Sequence, residues 1–257
     1  MSGDGDAVPG GYAAMVQRLL QHDDGRADAL RALVAAAGRS GDDRTAALDA
    51  LRAAARGRAD GIIPDASVGP ALAALATAAH AIAGFGVHPL GRPAFLSPAL
   101  LDLLRDEARA QLDGSGAGAS ARRSTQPAGE VLSHVAVSRQ LREAVSAAAG
   151  RPLTATFDAL YEYDPPGSHV RTHLDAAGYE WTCHLLVEHH RADAPGVSVL
   201  LAHRPDGTIE RHTLHAGEAI VLRGRGTLHA WAPLGADERR TLVAVGFRDA
   251  GEGTGQP

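Results

Sequence analysis

The chain contains no lysine and no asparagine, so all 25 of its basic side chains are arginine. Without lysine there is no pyridoxal Schiff base, no phosphate-gripping lysine of a nucleotide loop and no lysine nucleophile. Without asparagine there is no N-glycosylation acceptor. Cysteine occurs once, as Cys183, which excludes an internal disulfide and has no evident activating neighbour. No basic run exceeds two arginines, and the formal net charge is −5, so the chain carries no footprint for nucleic acid or an anionic membrane. No apolar run reaches the roughly 20 residues of a membrane span. The amino-terminal Met-Ser-Gly-Asp-Gly-Asp has neither the basic nor the apolar part of a signal peptide, so a cytoplasmic protein is expected. No Gly-X-Ser-X-Gly elbow is present for a serine nucleophile.

What is there divides into two textures. A length of 257 residues with 45% hydrophobic content supports one substantial core and an appended helical part. Residues 1 to about 10 are Gly/Asp-rich and expected to fray. Apolar residues then recur at helical spacing over Tyr12–Leu20 and Ala27–Ala37, the second ended by Gly38. Asp42-Asp43 offers an N-cap for a helix over Thr45–Arg56, and Pro70–Ile82 reads as another, closed by Gly84. Nothing in these helices suggests chemistry. Ser97-Pro98 starts a further helix to about Leu112, a glycine-rich stretch to Thr125 reads as a mobile loop, either a plain surface linker or a lid, and Ser138–Ala148 reads as a short helix.

From Thr154 onward the chain turns to short β-prone runs: 154–163, 169–176, 181–188, 197–203, 208–214, 219–223, 228–232 and 239–247. Eight such runs between turns fit an α+β protein with a double-stranded β-helix core, jelly-roll or cupin-like, flanked by helices. The expected division is a helical region over 1–84, the β-helix domain over 85–250 and a disordered tail over 251–257.

Within that β region, Tyr161-Glu-Tyr-Asp-Pro-Pro-Gly-Ser-His-Val-Arg-Thr-His173-Leu-Asp175 brings together the residue types of a metal site. On an extended strand His173 and Asp175 share a face. A third ligand is available in Thr-Leu-His229-Ala-Trp, and a strand opening Arg239-Arg-Thr241 follows. Two histidines and one carboxylate on one side of a cation leave adjacent positions open, the arrangement of non-haem iron(II) oxygenases.

This order resembles the iron(II)/2-oxoglutarate dioxygenases, and the segment Thr182-Cys-His-Leu-Leu-Val is similar to the prolyl-hydroxylase-like branch. The resemblance spans about residues 85–248. It implies His173, Asp175 and His229 as iron(II) ligands and Arg239, helped by Thr241, as the partner of the distal carboxylate of 2-oxoglutarate. Arg240 competes with Arg239 for that role, since neighbours on a strand face opposite ways. Tyr163 is a further candidate for the carboxylate, or a core tyrosine with a backbone partner. Arg171 and His184 are candidate substrate or pocket residues, and Arg122, Arg123 and Arg225 could meet an anionic group. His169 is a candidate pocket residue, and Asp158 and Glu162 are weaker substitute carboxylates. His189, His190, His203, His212 and His215 are expected at strand ends or surfaces. The retained carboxylate of Asp175 favours hydroxylation, desaturation or cyclisation over halogenation. A small-molecule substrate and O2 are the partners implied, with no nucleic acid or membrane. Two other readings stay open: a cupin-type metalloenzyme that does without 2-oxoglutarate, and a non-catalytic β-sandwich binding module.

Overall fold

Small apolar residues spaced three and four apart make the helices in the amino-terminal part of the chain, and their shared stripes bury one another. In a computed structural model that describes residues 8–21, 25–57, 69–114, 123–191 and 196–251, the helices are α1 (Val8–Leu19), α2 (Arg26–Ala37), α3 (Gly41–Arg56) and α4 (Pro70–Ala83). Most of the expected frayed amino terminus, residues 115–122 of the expected loop (including Arg122) and residues 252–257 of the expected tail lie outside the described residues. The cap of α3 is Ser40, whose hydroxyl accepts from Asp43 N–H at 3.1 Å, rather than Asp42-Asp43. Both aspartates instead sit in the first turn, where the positive end of the helix dipole favours them. Leu33, Leu48, Leu51, Leu72 and Leu75 form the centre of this bundle and are essentially inaccessible, each worth roughly 1.5–3 kcal/mol of burial.

The β region folds into two antiparallel sheets. The larger has the order β1-β8-β5-β10-β3-β2, with β1 (Val87–Gly91), β8 (Ala219–Leu222), β5 (Trp181–His190), β10 (Arg239–Asp249), β3 (Leu153–Asp164) and β2 (Ser124–Pro127). The smaller has the order β4-β9-β6-β7, with β4 (Val170–His173), β9 (Leu228–Trp231), β6 (Ser198–His203) and β7 (Ile209–Leu214). The order of β3 to β10 across the two sheets is that of a double-stranded β-helix, as expected. Three elements were not expected from sequence: β1, β2 and α6 (Glu130–Val137).

Parity along each strand separates two buried environments. Odd residues of β10, Val243, Val245 and Phe247, face outward onto α5 (Pro98–Gly114), α6 and α7 (Arg139–Ala149), meeting Leu104, Leu132 and Val145. Even residues face the space between the sheets, where Leu242 joins Val170, Leu186, Leu200, Ile220, Leu222 and Trp231. The other face of the smaller sheet is covered by the amino-terminal bundle, which takes Leu174 and Leu228 into its core. Arg225, just beyond β8, ties α3 down by donating to Thr45 O at 3.1 Å and Asp49 Oδ1 at 3.0 Å. That use removes Arg225 from the arginines expected to meet an anion. No described helix is long and apolar enough to cross a membrane.

Candidate metal centre

The pairing of β4 with β9 sets His173 directly opposite His229, although they are far apart in sequence. Their ring centroids are 4.4 Å apart. Each ring is aimed by its own backbone: His173 Nδ1 donates to Arg171 O at 2.9 Å, and His229 Nδ1 donates to Thr227 O at 2.9 Å. A carbonyl can only accept, so the proton of each neutral ring sits on Nδ1 and the lone pair on Nε2. Asp175 lies two residues past the end of β4, held by its N–H donating to Gly224 O at 2.9 Å. Thr182 Oγ1 donates to Asp175 Oδ2 at 2.5 Å, which leaves Oδ1 at 3.4 Å from His173 Nε2 and 3.7 Å from His229 Nε2. One ligand atom from each of the three residues lies within 4.8 Å of the other two.

The electrostatics of this cluster ask for a cation. Burial pushes the Asp175 carboxyl up, but His229 and His173 beside it hold it, on balance, well below the usual carboxylate range. Burial, with His173 adding to it, pushes His229 down to about 3. An ionised carboxylate and a neutral imidazole are the states in which both groups bind metal. Asp175 Oδ1 and the ring nitrogens of His173 and His229 thus converge on one point, and His229 Nε2 is buried without a hydrogen-bond partner. An orphaned buried acceptor costs about 1–3 kcal/mol, which a bound cation would recover. Glycine at 224 makes the close approach possible, since a Cβ there would stand 2.1 Å from Asp175 Oδ2.

The cluster opens into a cavity of about 450 Å³ lined by Thr182, His184, Trp231 and Ala244 on the barrel side. His169 and Arg171 also line it, Arg171 as an exposed rim residue. His184 is buried between His229 and Trp231, with ring centroids 6.2 and 5.6 Å away, and burial pushes it down to about 4.

The arginine pair is placed the other way round from the expected one. Arg239 is exposed, whereas Arg240 is 2% exposed and points between the sheets. Its Nε and Nη2 donate to Asp164 Oδ2 at 2.9 and 2.7 Å, its guanidinium lies 4.8 Å over the Trp231 ring, and Nη1 is buried with no partner. Thr241 and Tyr163 are cross-strand partners on the opposite, helix-facing side. The Tyr163 hydroxyl donates to Ala108 O, so neither residue reaches the cavity. Tyr161 likewise faces outward and donates to Glu107 Oε2 at 2.8 Å.

Arg123, which precedes β2, was among several arginines expected to meet an anion and is already engaged, with Glu162 Oε1 at 2.7 Å and Asp164 Oδ1 at 3.2 Å. Glu162 lines the cavity, and Asp158 is exposed outside it. Two histidines expected at surfaces are interior. His203 is 1% exposed against Thr172 Oγ1 at 3.2 Å, and His189 is 8% exposed with Nδ1 2.9 Å from Ser198 Oγ. His190 and His215 are exposed, and His212 pairs with Glu210. The residues missed from sequence are Arg52 and Arg56 of α3, which also line the cavity.

Fold and cluster together define a double-stranded β-helix protein with a two-histidine, one-carboxylate site able to hold a metal ion. No family model and no curated protein matches the chain. Solved structures do: HygX from Streptomyces hygroscopicus, with nickel and 2-oxoglutarate bound, is 13% identical with a TM-score of 0.50, over 66% of this chain and 84% of that one. A prolyl-4-hydroxylase of Pseudomonas putida is 21% identical with a TM-score of 0.46, over 68% of this chain and 99% of that one. The resemblance drawn from the sequence therefore holds at the level of the fold.

Proposed function

We propose that the chain is a non-haem iron(II)- and 2-oxoglutarate-dependent oxygenase acting on a small molecule. The observation that carries this reading is the convergence of His173 Nε2, His229 Nε2 and Asp175 Oδ1, with His229 Nε2 buried and unpartnered. These three atoms would hold the iron. With 2-oxoglutarate and O2, such a centre supplies the oxidative decarboxylation of the keto acid to succinate and CO2 coupled to oxidation of a substrate C–H bond. Arg240, in place of Arg239, is assigned to the distal carboxylate, because Nη1 is a buried charged donor still lacking an acceptor. Burial keeps His184 neutral beside the ligands, so with Trp231 and Ala244 it walls the cavity rather than acting as an acid or base. Asp175, as a carboxylate, favours hydroxylation or a related C–H oxidation over halogenation. The division near residue 84, with helices before and barrel after, is part of the same proposal.

One observation favours the cupin-type alternative: Asp164 already neutralises Arg240. The two readings separate in one experiment. Chelator-stripped protein receives iron(II) and then 2-oxoglutarate without oxygen, and the visible charge-transfer band of the chelate is recorded. The band is expected in the wild type and absent in His173→Ala. Arg240→Met combined with Asp164→Asn, which removes both buried charges, is expected to weaken 2-oxoglutarate binding about ten- to a hundredfold, and Arg239→Gln to leave it unchanged. Iron binding with no response to 2-oxoglutarate establishes the cupin-type reading, and absence of iron binding ends both.

A further inference from the structure

The cavity has a second charged wall that the metal chemistry does not use. Arg52 and Arg56 stand four residues apart on α3, on the helix face that the packing of α3 against β4 turns toward the cluster. Neither has an ion-pair partner among the described residues, and Arg52 Nε is buried without a hydrogen bond. Arg56 also feels Arg52 and Arg123 as repulsive neighbours, with Asp175 as the attractive one. The rest of α3 shows that this arrangement is not forced. Arg44 on the same helix pairs with Glu180 at 2.9 Å, and Arg225 reaches α3 to pair with Asp49. Arg56 is exposed in the last turn of α3, where the helix dipole favours a cation, but Arg52 lies a turn deeper, half-buried, and gains an unfavourable like-charge neighbour at i+4 with no described acid to offset it.

Charge accounting narrows what would answer it. Arg123 and Arg240 are matched by Glu162 and Asp164. Iron(II), Asp175 and a 2-oxoglutarate dianion would together leave one negative charge. Three cations around the same cavity, Arg52, Arg56 and Arg171, have no described acid of their own, so an excess of about two positive charges remains.

We propose that Arg52 and Arg56, with Arg171 on the rim of the same cavity, form a subsite for the dianionic group of a small-molecule substrate, a phosphate monoester or a pair of carboxylates. The proposal rests on the oxygenase reading only in calling that molecule a substrate; the anion site itself stands on the arginines. The amino-terminal helices then set specificity: the barrel brings the oxidising centre, and α3 brings the group that selects what reaches it.

The test uses metal-free full-length protein at pH 8, titrated calorimetrically with inorganic phosphate and, separately, with malonate. Arg52→Gln/Arg56→Gln keeps good helix formers on α3, and Arg18→Gln, an exposed arginine of α1, serves as control. The wild type and the control are expected to bind at least one of the two anions, the double variant about tenfold or more weaker. Binding of phosphate alone assigns a phosphate ester, and of malonate alone a dicarboxylate. Equal affinity in wild type and double variant, or no binding by the wild type, overturns the proposal. Failure of the iron and 2-oxoglutarate spectrum with these anion results intact removes the oxygenase reading and leaves the anion site standing.

Discussion

Replacing Thr182 by valine tests whether the geometry of Asp175 is built for a cation. Thr182 is 1% exposed, and its hydroxyl donates to Asp175 Oδ2 at 2.5 Å. Valine preserves the β-branched shape on β5, so the strand keeps its packing while the carboxylate loses the bond that decides which oxygen faces the histidines. Loss of such an outer hydrogen bond weakens metal binding about 10–100-fold. With metal at about 100 times the wild-type dissociation constant, binding adds about 2.7 kcal/mol, or about 5–11 °C of Tm for a chain of this size. At the same concentration Thr182→Val retains about 0.4–1.4 kcal/mol, or about 1–6 °C. Gly224→Ala presses on the same carboxylate from the other side. Its Cβ would stand 2.1 Å from Asp175 Oδ2 and 2.7 Å from both Thr182 Oγ1 and Tyr179 O, so the carboxylate must retreat by about 1 Å. The assay is a thermal melt of chelator-stripped protein against increasing Mn(II). Variants that melt cooperatively without metal, yet show the full wild-type shift with it, would refute the reasoning.

Burial pushes the Cys183 thiol up to about 12, and the side chain is 2% exposed on the helix-facing side of β5. A disulfide reagent at pH 8 is therefore expected to find no thiol in the native protein and one after unfolding; rapid native labelling contradicts the placement. His203 predicts an acid-side loss of stability. Burial lowers its folded pKa from 6.5 to about 4, so between those values the unfolded chain takes up a proton that the folded one refuses. Stability is full above about pH 6.5 and falls as the pH drops toward 4, by at most about 3 kcal/mol for this group. His184 and His229 act with the same sign in the metal-free protein. Denaturant melts of His203→Gln across pH 4–7 are expected to show a shallower slope than the wild type, and an identical slope would exclude His203 as a contributor.

The strands of the barrel were legible because turn residues cut the chain into short β-branched and apolar runs, and the helix starts at Ser97 and Ser138 were legible because each hydroxyl does cap, accepting from Leu100 and Leu141 N–H. The two strands that were missed lie where pairing, not local sequence, makes the structure, and the missed helix α6 is short and takes its start from Glu107 of α5, which accepts from Val131 and Leu132 N–H. β1 carries Pro89 and borders one end of the larger sheet, where a strand needs only one hydrogen-bonded neighbour; β2 borders the other end, paired to β3 alone. The β4 run was read as reaching Ala176, but the ladder stops at His173. Asp175 still meets the histidines because Gly224 O catches its N–H, not because it continues the strand.

That His173, Asp175 and His229 lie together was legible because it depends on residue types and spacing, while the inward arginine was not, because it depends on parity. In β10 the run Leu242–Phe247 is buried on both faces, so no polar alternation marks which side is inward, and the choice between Arg239 and Arg240 was undetermined locally. Packing decides it: Leu242 and Ala244 line the interior, and parity from them carries Arg240 inward and turns Thr241 and Tyr163 toward α5. The same logic hid Arg52 and Arg56. On an isolated amphipathic helix an arginine face reads as the face toward water, and only the docking of α3 on β4 gives that face to a cavity. Arg44 and Arg225 tie α3 to the barrel, so the helix face that carries half-buried Arg52 and exposed Arg56 is held beside the pocket, and an anionic occupant would meet it there.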